Sequence, residues 1–172
     1  METSFKVTRI DDPDFVMLTH ELDMELAVRY DITISEIQNT VDPTITTALI
    51  MYKDSRPVAC GCILPVKVPK ACLDDLNLSL SDQEISPTIT EMRRIFLKAE
   101  HRGSSNGSLA LKLIQTLENL AVNMDSAAMV VKTGGSQPEA LRVYGKSGYR
   151  SISLYGQPFE KGPTNSLGKE LQ

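Results

Sequence analysis

The chain has 172 residues, 41% of them hydrophobic, and a formal net charge of −4. That length and apolar fraction suffice for a single domain spanning 1–172 with its own core, and the acidic balance without a basic run argues against nucleic acid and anionic membrane as partners. No apolar stretch approaches membrane-spanning length and the N-terminus lacks the apolar core of a signal peptide, so a cytoplasmic location is expected. Cys60 and Cys62 flank Gly61 and Cys72 stands apart, a pattern with neither metal-ligand spacing nor an even disulfide set, so no metal is expected and the thiols read as buried strand residues. His20 and His101 read as surface or packing residues.

Phe5 to Ile10 alternates in the manner of an edge strand. Asp12 is placed as an N-cap with Pro13 at the first helical position, opening a helix with Phe15, Leu18, Leu22, Leu26 and Ala27 on one face. Its other face carries Asp14, Glu21, Asp23 and Glu25, which reads either as a solvated acidic surface or as the approach for a cationic substrate. A second short helix is expected from Ser35 as its cap. Thr46 to Tyr52 and Pro57 to Leu64 are two strand-type runs joined by Lys53-Asp-Ser-Arg56, which predicts a hairpin. Pro65 to Pro87 reads as a long excursion, either a functional loop or a solvated one.

Thr88 to Met124 holds the main chemical signal. A strand over Ile89 to Lys98 leads into the turn Arg102-Gly-Ser-Ser-Asn-Gly-Ser108, and then into a helix whose stripe is Ala110, Leu113, Ile114, Leu117, Leu120 and Ala121. Lys112, Gln115, Glu118 and Asn119 fall on the opposite side. The first amides of a helix lack intrahelical partners and sit at the positive end of its dipole, so a turn of small residues there can wrap a phosphate. Neither a P-loop ending nor a dinucleotide fingerprint is present, and the turn alone reads equally as a small-residue start to a helix. An apolar strand from Ala127 to Val131 follows. Gln137 to Tyr149 then reads as a helix with Pro138 in its first turn and Gly148 as its stop. Ile152 and Leu154 suggest a strand, and Ser166 to Leu171 a last one.

In order and spacing, these segments resemble the GNAT superfamily of CoA-dependent N-acetyltransferases. The family's Arg/Gln-x-x-Gly-x-Gly/Ala turn corresponds to Arg102-Gly-Ser-Ser-Asn-Gly107. Its Asn-x-x-Ala-x-x-x-Tyr-x-x-x-Gly-Phe/Tyr segment corresponds to Gln137-Pro-Glu-Ala140, Tyr144 and Gly148-Tyr149. Ser105 and Asn106 depart from the usual turn, and Gln137 replaces the usual Asn. The resemblance implies an α/β (α+β) fold, a mixed and mostly antiparallel central sheet flanked by helices, in which two parallel strands splay to form the acetyl-CoA cleft. It places the pantetheine arm on backbone groups of Ile95, Phe96 and Leu97. The pyrophosphate would lie on the turn Gly103, Ser104, Ser105, Asn106, Gly107 and Ser108, with Arg102 supplying or orienting charge and Gln137 contributing to the cofactor site.

The implied activity is transfer of an acetyl group from acetyl-CoA to a primary amine, by direct attack in a ternary complex. Such a reaction needs an acceptor for the amine proton and a donor for the departing sulfur. Glu91 is the candidate base and Tyr144 the candidate acid. Each has a simpler reading: Glu91 as the ion-pair partner of Arg93 or Arg94, and Tyr144 as a packing residue. The acceptor is a small-molecule amine or a peptide N-terminus or lysine, and a homodimer is compatible with the family. The alternatives are a non-catalytic CoA-binding or regulatory module of the same fold, and an interaction domain without a CoA site.

Overall fold

The structure is a computed structural model that describes residues 2–38, 41–45, 47–78, 86–103, 108–159 and 162–172. In chain order its elements are β1 (Thr3–Thr8), α1 (Pro13–Tyr30), α2 (Ile34–Gln38), β2 (Thr47–Lys53), β3 (Arg56–Val66), α3 (Lys70–Asp75), β4 (Ile89–Leu97), a single 3-10 turn (Ala99–His101), α4 (Leu109–Asn123), β5 (Ala128–Gly134), α5 (Pro138–Lys146), β6 (Arg150–Ser151) and β7 (Thr164–Glu170). The strands form a seven-stranded sheet in the order β1-β2-β3-β4-β5-β7-β6. Pairing is antiparallel for β1 with β2, β2 with β3, β5 with β7 and β6 with β7. β4 and β5 run parallel, with Ile89, Thr90 and Glu91 opposite Ala128, Met129 and Val130. The mixed, mostly antiparallel sheet expected from the sequence is therefore present, with β1 at one edge. No helix among the described residues is long and apolar enough to cross a membrane.

The chain packs as two compact units: Met1–Leu64 with Arg93–Leu113, and Pro65–Met92 with Ile114–Gln172. In the first, α1 is capped as predicted. The Asp12 carboxylate accepts from the Asp14 amide at 3.0 Å, from Thr8 Oγ1 at 3.0 Å and from Lys6 Nζ at 2.7 Å. Phe15 and Leu18 of α1 and Ala48 to Met51 of β2 are buried. The hairpin turn holds Asp54 at φ 49° and Ser55 at φ 64°, the left-handed pair whose twist matches that of the flanking strands. The cap of α2 is Thr33 rather than Ser35: Thr33 Oγ1 accepts from the Glu36 amide at 3.1 Å while the Glu36 carboxylate accepts from the Thr33 amide at 2.6 Å. This is a reciprocal capping box in which Ser35 is already helical.

In the second unit, part of the excursion from Pro65 is the short helix α3. Its Cys72 and Leu73, with the adjoining Leu76, join Ile89, Ala128, Val130 and Tyr155 in one apolar cluster. A helix of that length owes its stability to this burial rather than to propensity. The fit is close at Gly168 of β7, where a Cβ would stand 2.8 Å from Leu76 Cδ2. The expected strand at Ile152 and Leu154 lies one step earlier, at β6. The Ile152 amide still bonds the Ser166 carbonyl at 3.0 Å, but Leu154 turns outward.

Replacing Asp12 by Ala should cost about 1 kcal/mol through loss of the cap. The hydrogen bond from Lys6 holds the Asp12 carboxyl below the usual carboxylate range. Its contribution to stability is therefore complete above that range and lost as pH falls through the lowered value. Urea unfolding of both proteins at neutral and at acidic pH should show the wild type converging on Asp12→Ala as the solution is acidified.

Candidate active site

Strand β4 carries the residues on which the sequence reading centres. Its first four residues, Ile89, Thr90, Glu91 and Met92, are all buried. A strand interrupted nowhere would continue its two-residue alternation, but Arg94 takes φ 58°, a left-handed backbone that costs an arginine roughly 1–2 kcal/mol. The Arg94 guanidinium reaches α1, where Nη2 donates to the Thr19 carbonyl at 3.1 Å and lies 2.7 Å from Asp23 Oδ1. Further along, Lys98 Nζ lies 3.2 Å from Glu21 Oε1, and Arg102 Nη2 bonds both Glu25 oxygens at 2.8 and 3.0 Å. The acidic residues of α1 are thus engaged one by one by cations of the β4 segment. Asp14, the remaining one, accepts from the Tyr52 hydroxyl at 2.6 Å, and burial, followed by this hydrogen bond, pushes that phenol up to about 12.

Ile95 and Leu97 of the candidate pantetheine strand are half-buried and Phe96 is buried. The Leu97 carbonyl accepts from Arg102 Nε at 2.7 Å, and the Arg102 guanidinium sits 5.4 Å from the Phe96 ring centroid. The charge expected at the turn from Arg102 is shared with Glu25, so its visible work is to tie the turn to β4 and α1. Gly103 has φ 101° and Ser108, just before α4, has φ 57°. Ser104, Ser105, Asn106 and Gly107 lie outside the described residues. The Ser108 carbonyl accepts from the Lys112 amide at 3.2 Å, which starts the ladder of α4.

Glu91 and Tyr144, the two candidate catalytic residues, both belong to the second unit. Glu91 is 2% exposed and stands opposite Val130 of β5. Its neighbour Thr90 donates from Oγ1 to Ser126 Oγ at 2.9 Å. Arg94, one of the two suggested partners of Glu91, is committed to Asp23. Tyr144 is 4% exposed on α5, and burial pushes its phenol above the ordinary tyrosine range. The ring meets Tyr149 edge-on, with centroids 5.7 Å apart. Gln137 precedes α5, its carbonyl accepting from the Ala140 and Leu141 amides at 3.2 and 3.3 Å.

Behind Tyr144 is an arrangement that the periodicity of α4 did not reveal. Glu118 falls on the polar side of the helical stripe, yet it is buried. Its Oε1 accepts from the Tyr149 hydroxyl at 2.9 Å, and Lys169 Nζ donates to the carboxylate at 3.0 and 3.2 Å. Burial, then the Glu118 charge, raises the Tyr149 phenol, which stays protonated and donating. Lys169 also lies 5.8 Å from the Tyr149 ring centroid. The ring against which Tyr144 packs is therefore fixed at its hydroxyl and on its face.

Glu118→Ala leaves a buried hydroxyl and an ammonium without their acceptor and should cost about 3 kcal/mol. Glu118→Gln keeps one acceptor oxygen and should cost clearly less. Chemical denaturation of the two variants measures the difference, and equal losses would show that packing rather than hydrogen bonding sets the role of Glu118.

No protein-family model matches this sequence, and no curated protein matches it at a significant level. Solved structures share its architecture. A Klebsiella pneumoniae protein named as an acyl-CoA N-acyltransferase superposes with a TM-score of 0.69 at 21% identity, covering 99% of this chain and 98% of the other. A GNAT-family acetyltransferase from Streptococcus agalactiae gives 0.61 at 14% identity over 98% and 96% of the two chains. One from Staphylococcus aureus gives 0.61 at 10% identity over 98% and 100%. What the chains share at such identities is the path of the backbone, over nearly their full lengths. The chain has the fold of the GNAT-family acetyltransferases.

Proposed function

We propose that this protein is an N-acetyltransferase that uses acetyl-CoA and a primary amine, with Tyr144 and Glu91 as its acid and base. The observation that supports this most is Tyr144. It occupies the motif position of the acid, on a helix that starts as the motif requires, and burial moves its phenol above the ordinary tyrosine range, so it holds its proton. A group that must give up a proton to a departing sulfur has to hold that proton at working pH.

One feature of the backbone supports the assignment of the cofactor residues. Gly103 and Ser108 bracket the turn with left-handed conformations at the N-terminal end of a helix of 15 residues, where amides lacking intrahelical partners favour a phosphate group. Acetyl-CoA supplies an activated acyl group as a thioester. Backbone groups of Ile95, Phe96 and Leu97 would hold its pantetheine arm, the turn from Gly103 to Ser108 its pyrophosphate, and Gln137 a further polar contact. Arg102 orients that turn through its bonds to Leu97 and Glu25. Glu91 takes up a proton from the acceptor amine at its buried carboxylate. Tyr144 Oη delivers one to sulfur.

The wild type and Tyr144→Phe should be melted with and without acetyl-CoA, and their turnover compared. A ligand that binds the folded state raises the melting temperature once it exceeds its dissociation constant. Acetyl-CoA should raise it in both proteins, while Tyr144→Phe loses on the order of a hundredfold in kcat. Because the phenol is raised, the wild type should show no alkaline loss of activity from this group within the ordinary tyrosine range. Absence of any melting shift in the wild type would overturn the acetyl-transfer reading. Full activity in Tyr144→Phe would overturn the role of Tyr144.

A further inference from the structure

Inside the first unit, α1, residues 41–45, β3 and β4 line a cavity of about 210 Å³. Its apolar wall includes Phe15, Val41 and Ile45, and its polar groups include Gln38, Asp23 and Arg94. Asp23 is 3% exposed, and its Oδ1 has no hydrogen-bond partner among the described residues even though the Arg94 guanidinium lies 2.7 Å away. At that separation the contact is ionic and off the N–H axis. The Arg94 Nη2 donates to the Thr19 carbonyl and faces Asp23. The cavity therefore presents a carboxylate oxygen that accepts no hydrogen bond among the described residues, the guanidinium that faces it and an apolar wall together.

We propose that this cavity binds a small aliphatic α-amino acid, its carboxylate on Arg94, its ammonium on Asp23 and its side chain against Phe15, Val41 and Ile45. Charge selects this class. Asp23 and Arg94 cancel, so a bare amine entering the cavity leaves a buried excess positive charge and a bare carboxylic acid anion a negative one, each costly in a site removed from water. A zwitterion leaves none. Arginine also presents a planar fork that matches a carboxylate. Size selects within the class. A cavity of roughly 150 Å³ holds benzene, so this one accommodates a molecule of roughly nine non-hydrogen atoms, the size of leucine. On the acetyl-transfer reading such a ligand is an acceptor class, but its binding does not depend on that reading.

Calorimetric titration of the wild type with leucine, isoamylamine and isocaproate tests the proposal directly, because the three share one apolar body and differ only in charge. Leucine should bind at least tenfold more tightly than either of the others. Val41→Phe, which fills the cavity, should abolish leucine binding while circular dichroism stays native. Arg94→Gln should weaken it at least tenfold. Should Arg94→Gln fail to fold, the comparison of ligands on the wild type decides alone. No heat from leucine at concentrations up to roughly 10 mM, well above the weakest dissociation constants usual for a built site, overturns the proposal. So does equal binding of the three ligands, or tighter binding of isoamylamine, which would make the cavity a cation site.

Discussion

The buried contact between Asp23 and Arg94 ties β4 to α1 in the first unit. Both groups are taken out of water, a loss their mutual attraction alone does not repay, and Arg94 adopts a left-handed backbone to make it. What offsets these costs is that the same residue also donates to the Thr19 carbonyl, on the helix whose Phe15 and Leu18 are buried. Thr19 in turn donates from Oγ1 to the Phe15 carbonyl at 2.9 Å. The outcome is a strand whose last residues, Ile95 to Leu97, are flanked by cations that reach α1. Arg94 lies in β4, Lys98 directly after it and Arg102 beyond the 3-10 turn. Asp23, Glu21 and Glu25 meet them in that order.

The second unit solves a similar problem with a different set of groups. Glu118, Tyr149 and Lys169 come from α4, the segment after α5, and β7. Each has little use alone in an apolar setting, and together they leave no unpaired charge. Gly148, at φ 91°, allows the chain to reverse after α5 and bring Tyr149 into place, and a Cβ there would touch the Lys169 stem at 3.6 Å. Tyr144 then lies between a helix and a ring that is itself anchored. Burial raises both phenols, and a buried site that also contains a carboxylate requires that carboxylate to be paired. Lys169 meets that requirement without lying on the same element.

Elements with local chemical signatures were legible in the sequence. The Asp12-Pro13 start of α1, the two-residue hairpin turn at Asp54-Ser55, the stripe of α4 and the Pro138 start of α5 all depend on neighbours within a few residues. So does the order of segments that carried the GNAT resemblance, and the fold follows it. What was not legible depends on contacts distant in sequence. Helix α3 is too short to have a readable period and exists because Cys72, Leu73 and Leu76 find a cluster to join. The acidic face of α1 was read as solvated or substrate-facing because periodicity states which residues share a side, not what packs there. Glu118 was missed for the same reason. One signal was available: two successive arginines, Arg93 and Arg94, between Met92 and the apolar run Ile95-Phe-Leu97. Two charges at adjacent positions of a strand point to opposite faces, so at least one of them must find a partner away from solvent.

That signal bears on which positions of the fold tolerate substitution. Strand order and helix placement rest on patterns that many residues satisfy, whereas a buried ion pair at a left-handed residue rests on particular side chains. Substituting one apolar core residue for another of similar volume is cheap, commonly under about 1.5 kcal/mol. Losing one member of a buried pair leaves the other uncompensated, at about 3–5 kcal/mol, a large share of the total stability of a domain. Strand order therefore rests on positions that tolerate exchange, and the pairs Asp23–Arg94 and Glu118–Lys169 on particular side chains.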